Sequence, residues 1–306
     1  MRWLRRWCFI VGCLLQGALW ACSQVVDVPR ALPPAAPHEW AFVSQNLWHF
    51  NDDISVKRLQ AVAAYVRNHL QSPHFLAVQE VGSHEILQQL ADVIQGQGGP
   101  EYETWLIPGP DAGGMHLGVM VRAPLKVKRV SALFTEQSSR TALRLFQRPP
   151  LLVELETPKM MVVNVHQRSG VGLPQKQVVQ QRYRQANVLF QWIADAHEAG
   201  YEIMLLGDVN SHPKADVFGE PFALLNRWPL HNAWQLLPEE ERFSYIYRCE
   251  REAIDHVFLT PRLWQRVQRA VVSRGNAGRY RPLYQSQGVA VVSDHDAVGV
   301  YVHRDL

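Results

Sequence analysis

IMLLGDVN (203–210) places four apolar residues on consecutive positions and then stops at a carboxylate and an amide, Asp208 and Asn210. A short apolar run bounded by glycine reads as a strand buried on both faces, because a helix of that length closes too few turns to hold itself. The same pattern recurs on either side. AFVSQN (41–46), HFLAVQE (74–80), MMVVNVH (160–166) and VAVVSDH (289–295) each run apolar and end on polar residues: Asn46, Glu80, His166, and the pair Asp294 and His295. LGVMVR (117–122), LLVELE (151–156), AIDHVFL (253–259) and AVGVYV (297–302) add further strands. Strand ends meet at one rim, so polar groups from many strands converge there on rigid apolar stems.

Between these runs the periodicity turns helical. Lys57 to Leu70 sets Leu59, Val62, Ala63, Val66 and Leu70 on one stripe, and Glu85 to Ile94 does so with Ile86, Leu87, Leu90 and Ile94. Gln175 to Ala199 predicts a longer helix with Val178, Tyr183, Ala186, Leu189, Phe190 and Ile193 inward, ended by Gly200. The fold class is α/β, with sheet in the middle and helices outside.

Composition allows a large folded domain: 47% of the 306 residues are hydrophobic and 10% aromatic. The formal charge of +3 includes Arg2, Arg5 and Arg6, which lie in a segment expected to be removed, so the remaining basic residues only match the 28 acidic ones. Overall charge therefore gives no push toward a nucleic-acid backbone, and any such binding must come from local patches. MRWLRRWCFIVGCLLQGALWACSQ (1–24) has a basic start, a short apolar run and small residues before Cys22, the pattern of an export signal. Leu19, Ala21 and Cys22 resemble a bacterial lipobox, which makes residues 1–21 a signal peptide, Cys22 a lipidated N-terminus and membrane anchor, and the outer membrane or periplasmic face the destination. Plain secretion is the alternative. Cys8 and Cys13 would leave with the signal and Cys249 would stand alone, so no intrachain disulfide is expected. The proline-rich stretch VPRALPPAAPH (28–38) reads as an extended tether, giving a linker over 22–38 and one domain over 39–306.

The residue types at the strand ends point to a hard cation. Glu80, Asp208 and Asp294, with amide oxygens from Asn46 and Asn210, suit Mg²⁺, with Mn²⁺ or Ca²⁺ as alternatives; zinc would call for more His and Cys. Such a cation keeps positions open for phosphate oxygens and water. Taken singly, each carboxylate is more simply a loop or helix cap.

QNLWHFN (45–51), VQEVG (78–82), VNVH (163–166), LLGDVN (205–210), IDHVFL (254–259) and VVSDHDAV (291–298) resemble, in order and character, the endonuclease/exonuclease/phosphatase superfamily. RPPLLVEL (148–155) and FSYIYRCEREAIDHVFL (243–259) resemble its secreted bacterial nuclease branch. The resemblance implies a four-layer α/β sandwich of two packed mixed sheets flanked by helices. It implies metal ligation by Glu80, Asn46 and Asp294, placement of water and phosphate by Asp208 and Asn210, and acid-base or phosphate-stabilising work by His295 oriented by Asp255. His166 and Arg148 would contact substrate phosphate. Two departures stand out. LGVMVR lacks the acid that pairs with the first histidine in pancreatic-type enzymes, and Val81 and Gly82 follow Glu80 where those enzymes carry an arginine. The function so implied is an exported metal-dependent nuclease acting on DNA and possibly RNA. A phosphatase or sphingomyelinase-like hydrolase of a phosphorylated lipid or sugar, and an inactive binding module, are the alternatives. No protein partner is inferable. SRGNAGRYRPLYQSQG (273–288) sets Arg274, Arg279 and Arg281 beside Tyr280 and Tyr284, either a phosphate- and base-gripping loop or a solvated surface one. The glycine-rich Pro108–Met115 stretch matches no phosphate cradle and reads as a surface connection.

Overall fold

A strand that is apolar on consecutive positions needs a hydrophobic layer on each face, and the fold supplies both. The structure, a computed structural model, describes residues 29–135, 145–213, 221–278 and 292–305. In chain order the first strands are β1 (Glu39–Phe50), β2 (Phe75–Val81), β3 (Glu103–Ile107), β4 (His116–Val121), β5 (Lys126–Ala132), β6 (Leu151–Thr157) and β7 (Met160–His166). They are followed by β8 (Ile203–Asp208), β9 (His231–Asn232), β10 (Tyr245–Tyr247), β11 (Glu250–Glu252), β12 (Asp255–Leu259), β13 (Val267–Val272) and β14 (Val298–His303). One six-stranded sheet has the order β13-β14-β1-β2-β4-β3, the other β5-β6-β7-β8-β12-β9, and β10-β11 form a separate hairpin.

Each large sheet contains one parallel pair, β1 with β2 and β7 with β8. A parallel pair needs a crossover, and helices provide it: α1 (Val56–Asn68) in the first sheet and α3 (Lys176–Glu198) in the second. Ser55 and Ser83 cap α1 and α2 (His84–Gly96), accepting the amides of Arg58 and Ile86 at 3.2 and 3.1 Å. Gly200 ends α3 in the left-handed region at φ +89°. Two short helices, α4 (Pro221–Leu225) and α5 (Pro261–Trp264), and two 3-10 turns, Ala233–Leu236 and Glu239–Glu241, complete the described elements.

Alternation sorts the strand residues into three cores. Trp40, Phe42, Phe75, Ala77, Val162, Met204, Leu206 and Val257 fill the space between the sheets. Val43, Leu47, Leu76 and Val78 face α1 and α2, while Val163, Val165 and Leu205 face α3. The layers are thus helix, sheet, sheet, helix, as the resemblance implies. Near the rim the inter-sheet core turns polar, and Asn164 is fully bonded there: it donates to the carbonyls of Val78 and Gly118 at 3.0 and 2.9 Å and accepts from Gln79 at 2.7 Å, tying β7 to β2 and β4.

Three expectations need correction. Tyr183 is 45% exposed and Arg182 takes the inward position on α3, its guanidinium held by the carbonyls of Arg168 and Asn210 at 2.7 and 2.9 Å. The described part of the expected tether, residues 29–38, is docked on the domain. Leu32 is buried, Arg30 makes a two-way backbone bridge with Arg274, and the carbonyls of Pro33 and Pro34 accept from Tyr301 and Arg269. Cys249 is disulfide-bonded, against the expectation of a lone thiol, and its partner lies outside the described residues. The signal segment and Cys22 also lie outside them.

His74 gives the fold a pH dependence. Its Nδ1 accepts the Ala41 amide at 3.1 Å, and burial, with Arg122 and Arg304 nearby, lowers its pKa from 6.5 to about 3. The folded state keeps His74 neutral, so stability is full above the unfolded value and is lost as pH falls below it, until the ring charges in the folded state as well. Between about pH 7 and 5 this group alone should cost about 1–2 kcal/mol. In urea titrations at both pH values, His74→Gln, which keeps an acceptor for Ala41, should flatten the dependence by that amount; an unchanged slope would contradict the assignment.

Candidate active site

Asp208, His166 and Asp255 reach the rim by plain alternation. Each continues the row of its strand that faces the inter-sheet core, following Leu206, Val162 and Val257 respectively in parity. Asn46 likewise follows Trp40 and Phe42 on β1. Glu80 does not. Strict alternation would turn it toward the helices with Leu76 and Val78. Instead the β2 register slips between Gln79 and Val81, and Glu80 adopts φ +63°, so this bulge turns the carboxylate over the rim. Asn210, just past β8, is also left-handed at φ +54°, and its amide donates to Asp208 Oδ1 at 2.8 Å.

The side chains then interlock. Asn46 Nδ2 donates to Glu80 Oε1 at 3.2 Å and to Asp208 Oδ2 at 3.1 Å, while its Oδ1 accepts the Trp48 amide at 2.9 Å. The amide therefore presents its nitrogen to the carboxylates, and the oxygen-ligand role implied by the resemblance requires it to turn over. The His49 amide donates to Glu80 Oε2 at 2.9 Å. His295 Nδ1 lies 2.7 Å from Asp255 Oδ2, and its Nε2 lies 3.8 Å from Asp294 Oδ1. On the far side of Asp208, His166 Nε2 sits 3.4 Å from Oδ2. Ligand atoms of Asp208, Asp255 and His295 all lie within 4.8 Å of one another. The Oδ1 atoms of Asp294 and Asp255 and Nδ1 of His166 are buried without a hydrogen-bond partner.

The two histidines are driven to opposite protonation states. Burial, then Arg148 and His295, pushes His166 well below its ordinary value and keeps it neutral. Burial also works against charge on His295, but Asp255, Asp294 and Asp208 outweigh it and hold the imidazolium well above the usual range. Burial, followed by the charge of Asp255 and opposed by His295, raises Asp208 to about 7, and burial raises Asp294. Two buried groups pushed apart in this way are a common basis for dividing acid and base roles.

The remaining expected residues have mixed fates. Arg148 stands beside His166, with Nε 3.3 Å from the His166 carbonyl, but its Nη1 pairs with Asp111 at 3.1 Å. Asp111 belongs to the glycine-rich loop read as a mere connection; the same carboxylate accepts the Gly113 and Met115 amides, so the loop is tied to the strand that carries His166. Arg274 is buried and bonded to Asp296 and Glu241, so it does not grip phosphate; Arg279, Tyr280, Arg281 and Tyr284 lie outside the described residues. Sequence reasoning also missed Tyr245, whose ring lies 4.8 Å from that of His295, and Gln45, which donates to the His295 carbonyl at 3.0 Å. The Ser-Tyr lead into Asp255 was the available signal for Tyr245.

No curated protein matches the sequence. Solved structures do share the fold. The 3'-5' exonuclease NExo from Neisseria meningitidis is similar at 15% identity and TM-score 0.63, over 86% of this chain and 99% of that one. TDP2 from D. rerio, complexed with a single-strand DNA product, is similar at 18% identity and TM-score 0.60, over 86% and 98%. An endonuclease/exonuclease/phosphatase from Beutenbergia cavernae is similar at 20% identity and TM-score 0.60, over 87% and 72%. The sequence signature of the Endonuclease/Exonuclease/phosphatase family matches residues 43–295, and with its rim of carboxylates and histidines over the two-sheet core the chain belongs to that family, whose members hydrolyse phosphoester bonds.

Proposed function

We propose that the protein is an exported, divalent-cation-dependent phosphodiesterase whose substrate is DNA. The carrying observation is the convergence of Glu80, Asp208 and Asp294 with the His295–Asp255 pair at one rim. The donor set fits a hard cation: the oxygens are carboxylate, Asp294 Oδ1 is buried without a hydrogen-bond partner, and burial first, with neighbouring carboxylate charge adding to it, makes Asp208 and Asp294 resist ionisation. Glu80 and Asp294 would hold Mg²⁺, with Asn46 joining them by turning its amide. The bound ion supplies neutralisation of charge on the phosphoryl oxygens.

The chain's own groups do the rest. Asp208, fixed by the Asn210 amide, orients the attacking water, and Asn210 reaches a phosphate oxygen. His295, charged and oriented by Asp255, faces the charge that develops on the phosphoryl and leaving oxygens. Neutral His166 hydrogen-bonds the phosphate from the other side of Asp208, and Arg148 adds positive field there. DNA is favoured because two of the similar folds are named for exonuclease action and for a bound DNA product.

One panel tests this reading. The protein from Pro29 onward, assayed with Mg²⁺, Mn²⁺ or chelator, should nick supercoiled plasmid in the presence of metal and lose that activity in chelator. Hydrolysis of sphingomyelin or inositol phosphates with DNA left intact would overturn the substrate, and no hydrolysis of any of them would favour a binding module. Export would provide the oxidising setting in which a disulfide at Cys249 persists. Acylation at Cys22 would add the mass of the acyl groups to the mature chain, and an intact mass without that addition would contradict the anchor.

A further inference from the structure

The two halves of the His295–Asp255 pair come from different segments, and a short buried chain of bonds joins those segments from behind. Asp296, next to His295, donates its amide to the Ser244 carbonyl at 2.7 Å. Ser244 Oγ in turn accepts the amides of Asp255 and Ile254 at 3.1 and 3.4 Å. Ser244 and Asp296 are fully buried, so these bonds compete with no water. One residue on each side of the dyad is thereby fixed relative to the other.

The Asp296 carboxylate anchors this link. Its Oδ1 accepts the amides of Asn276 and Ala277 at 2.8 and 3.1 Å, and its Oδ2 accepts Arg274 Nη1 at 3.2 Å. Arg274 is itself held on several sides. It donates to the Phe243 carbonyl at 2.9 Å, to the Glu241 carbonyl at 2.7 Å and to Glu241 Oε2 at 3.0 Å, and it lies 3.8 Å over the Phe243 ring. Glu241 also pairs with Arg30 of the docked N-terminal segment, at 3.0 and 2.5 Å. A charge as deeply buried as that of Asp296 persists only when paired and hydrogen-bonded throughout, and this one is.

We propose that Asp296, Arg274 and Ser244 are positioning residues for the His295–Asp255 pair, setting the separation and orientation of its two halves without touching substrate. This inference rests on the hydrolase reading for its kinetic consequence but not for its structural one. Misplacing a reacting group by about 1 Å costs on the order of 10²-fold in rate, so small slippage of the 294–297 segment is enough to matter.

The test uses Asp296→Asn, which keeps the size and one acceptor but sets an amide N–H against Arg274, and the milder Ser244→Ala. Both should lower kcat for a chromogenic phosphodiester by about 10-fold to 10²-fold with KM within about twofold. In a His295→Ala background the same substitutions should remove no further activity, because they act through the imidazole. The substrate-free readout is the downfield proton resonance of His295 Nδ1–H in the bond to Asp255, which should shift or broaden in both variants. If the protein hydrolyses nothing, that resonance still decides the positioning role. An unchanged resonance, or an equal loss of rate with and without His295, would overturn the inference, and if Asp296→Asn fails to fold, Ser244→Ala decides it alone.

Discussion

Asp294→Asn is expected to lower metal-dependent turnover by at least about 10³-fold, since it removes one of the anionic oxygens assigned to the cation. The same substitution should raise the thermal midpoint of the chelator-treated protein at about pH 8, by roughly 2–5 °C. The sign follows from the folded state. Asp294 is held above its ordinary pKa by burial, with the Glu80 and Asp255 charges adding to the effect against His295. A group so raised contributes stability only while protonated and loses it as pH rises through its folded value, so a neutral amide relieves a cost that the charged form carries at about pH 8. A site that sacrifices stability for chemistry behaves this way, whereas a structural cap does not. Kinetics and a melting series with and without Mg²⁺ check both halves. Activity within tenfold of the parent protein, or a lower midpoint in chelator, would contradict the assignment.

Asp255→Asn should cost about 10²–10⁴-fold in kcat, because Asp255 Oδ2 accepts from His295 Nδ1 at 2.7 Å and its charge is the largest favourable influence on the imidazolium. Loss of the carboxylate frees the tautomer and the charge state of the ring together. KM should move little, since the proposed function puts the cation on Glu80 and Asp294 and not on this pair. The double variant Asp255→Asn with His295→Ala should be no slower than His295→Ala alone. Losses that multiply across the two positions would show that Asp255 acts by another route.

Much of this arrangement is readable in the chain because alternation carries it. Apolar residues of one parity in IMLLGD, MMVVNVH and IDHVFL fill the inter-sheet core, and the polar residue that continues the parity arrives at the rim without any special geometry. Glu80 shows where that reading stops: its strand position is evident, but its direction depends on a bulge and a left-handed backbone that nothing in VQEVG announces. Tyr183 and Arg182 exchange places because helical periodicity fixes the stripe only to within about one residue, and the carbonyls of Arg168 and Asn210 offered the arginine a buried partner. The tether between 29 and 38 looked unpacked because its residues lack periodicity. What holds it is tertiary, Glu241 and the Arg274 backbone, both more than two hundred residues away. Long-range polar partners of this kind leave no local mark in a sequence.

The central claim is that Glu80 and Asp294, with Asp208 nearby, would hold a divalent cation on which phosphodiester hydrolysis depends. Its most direct test is the initial rate on bis(4-nitrophenyl) phosphate, measured after chelation and again after Mg²⁺ is returned, for the parent protein and Glu80→Gln. The account predicts a rate in chelator indistinguishable from buffer, full recovery with Mg²⁺ in the parent protein, and no recovery at the same Mg²⁺ concentration in Glu80→Gln. Undiminished hydrolysis in chelator, or equal recovery in the two proteins, would contradict it.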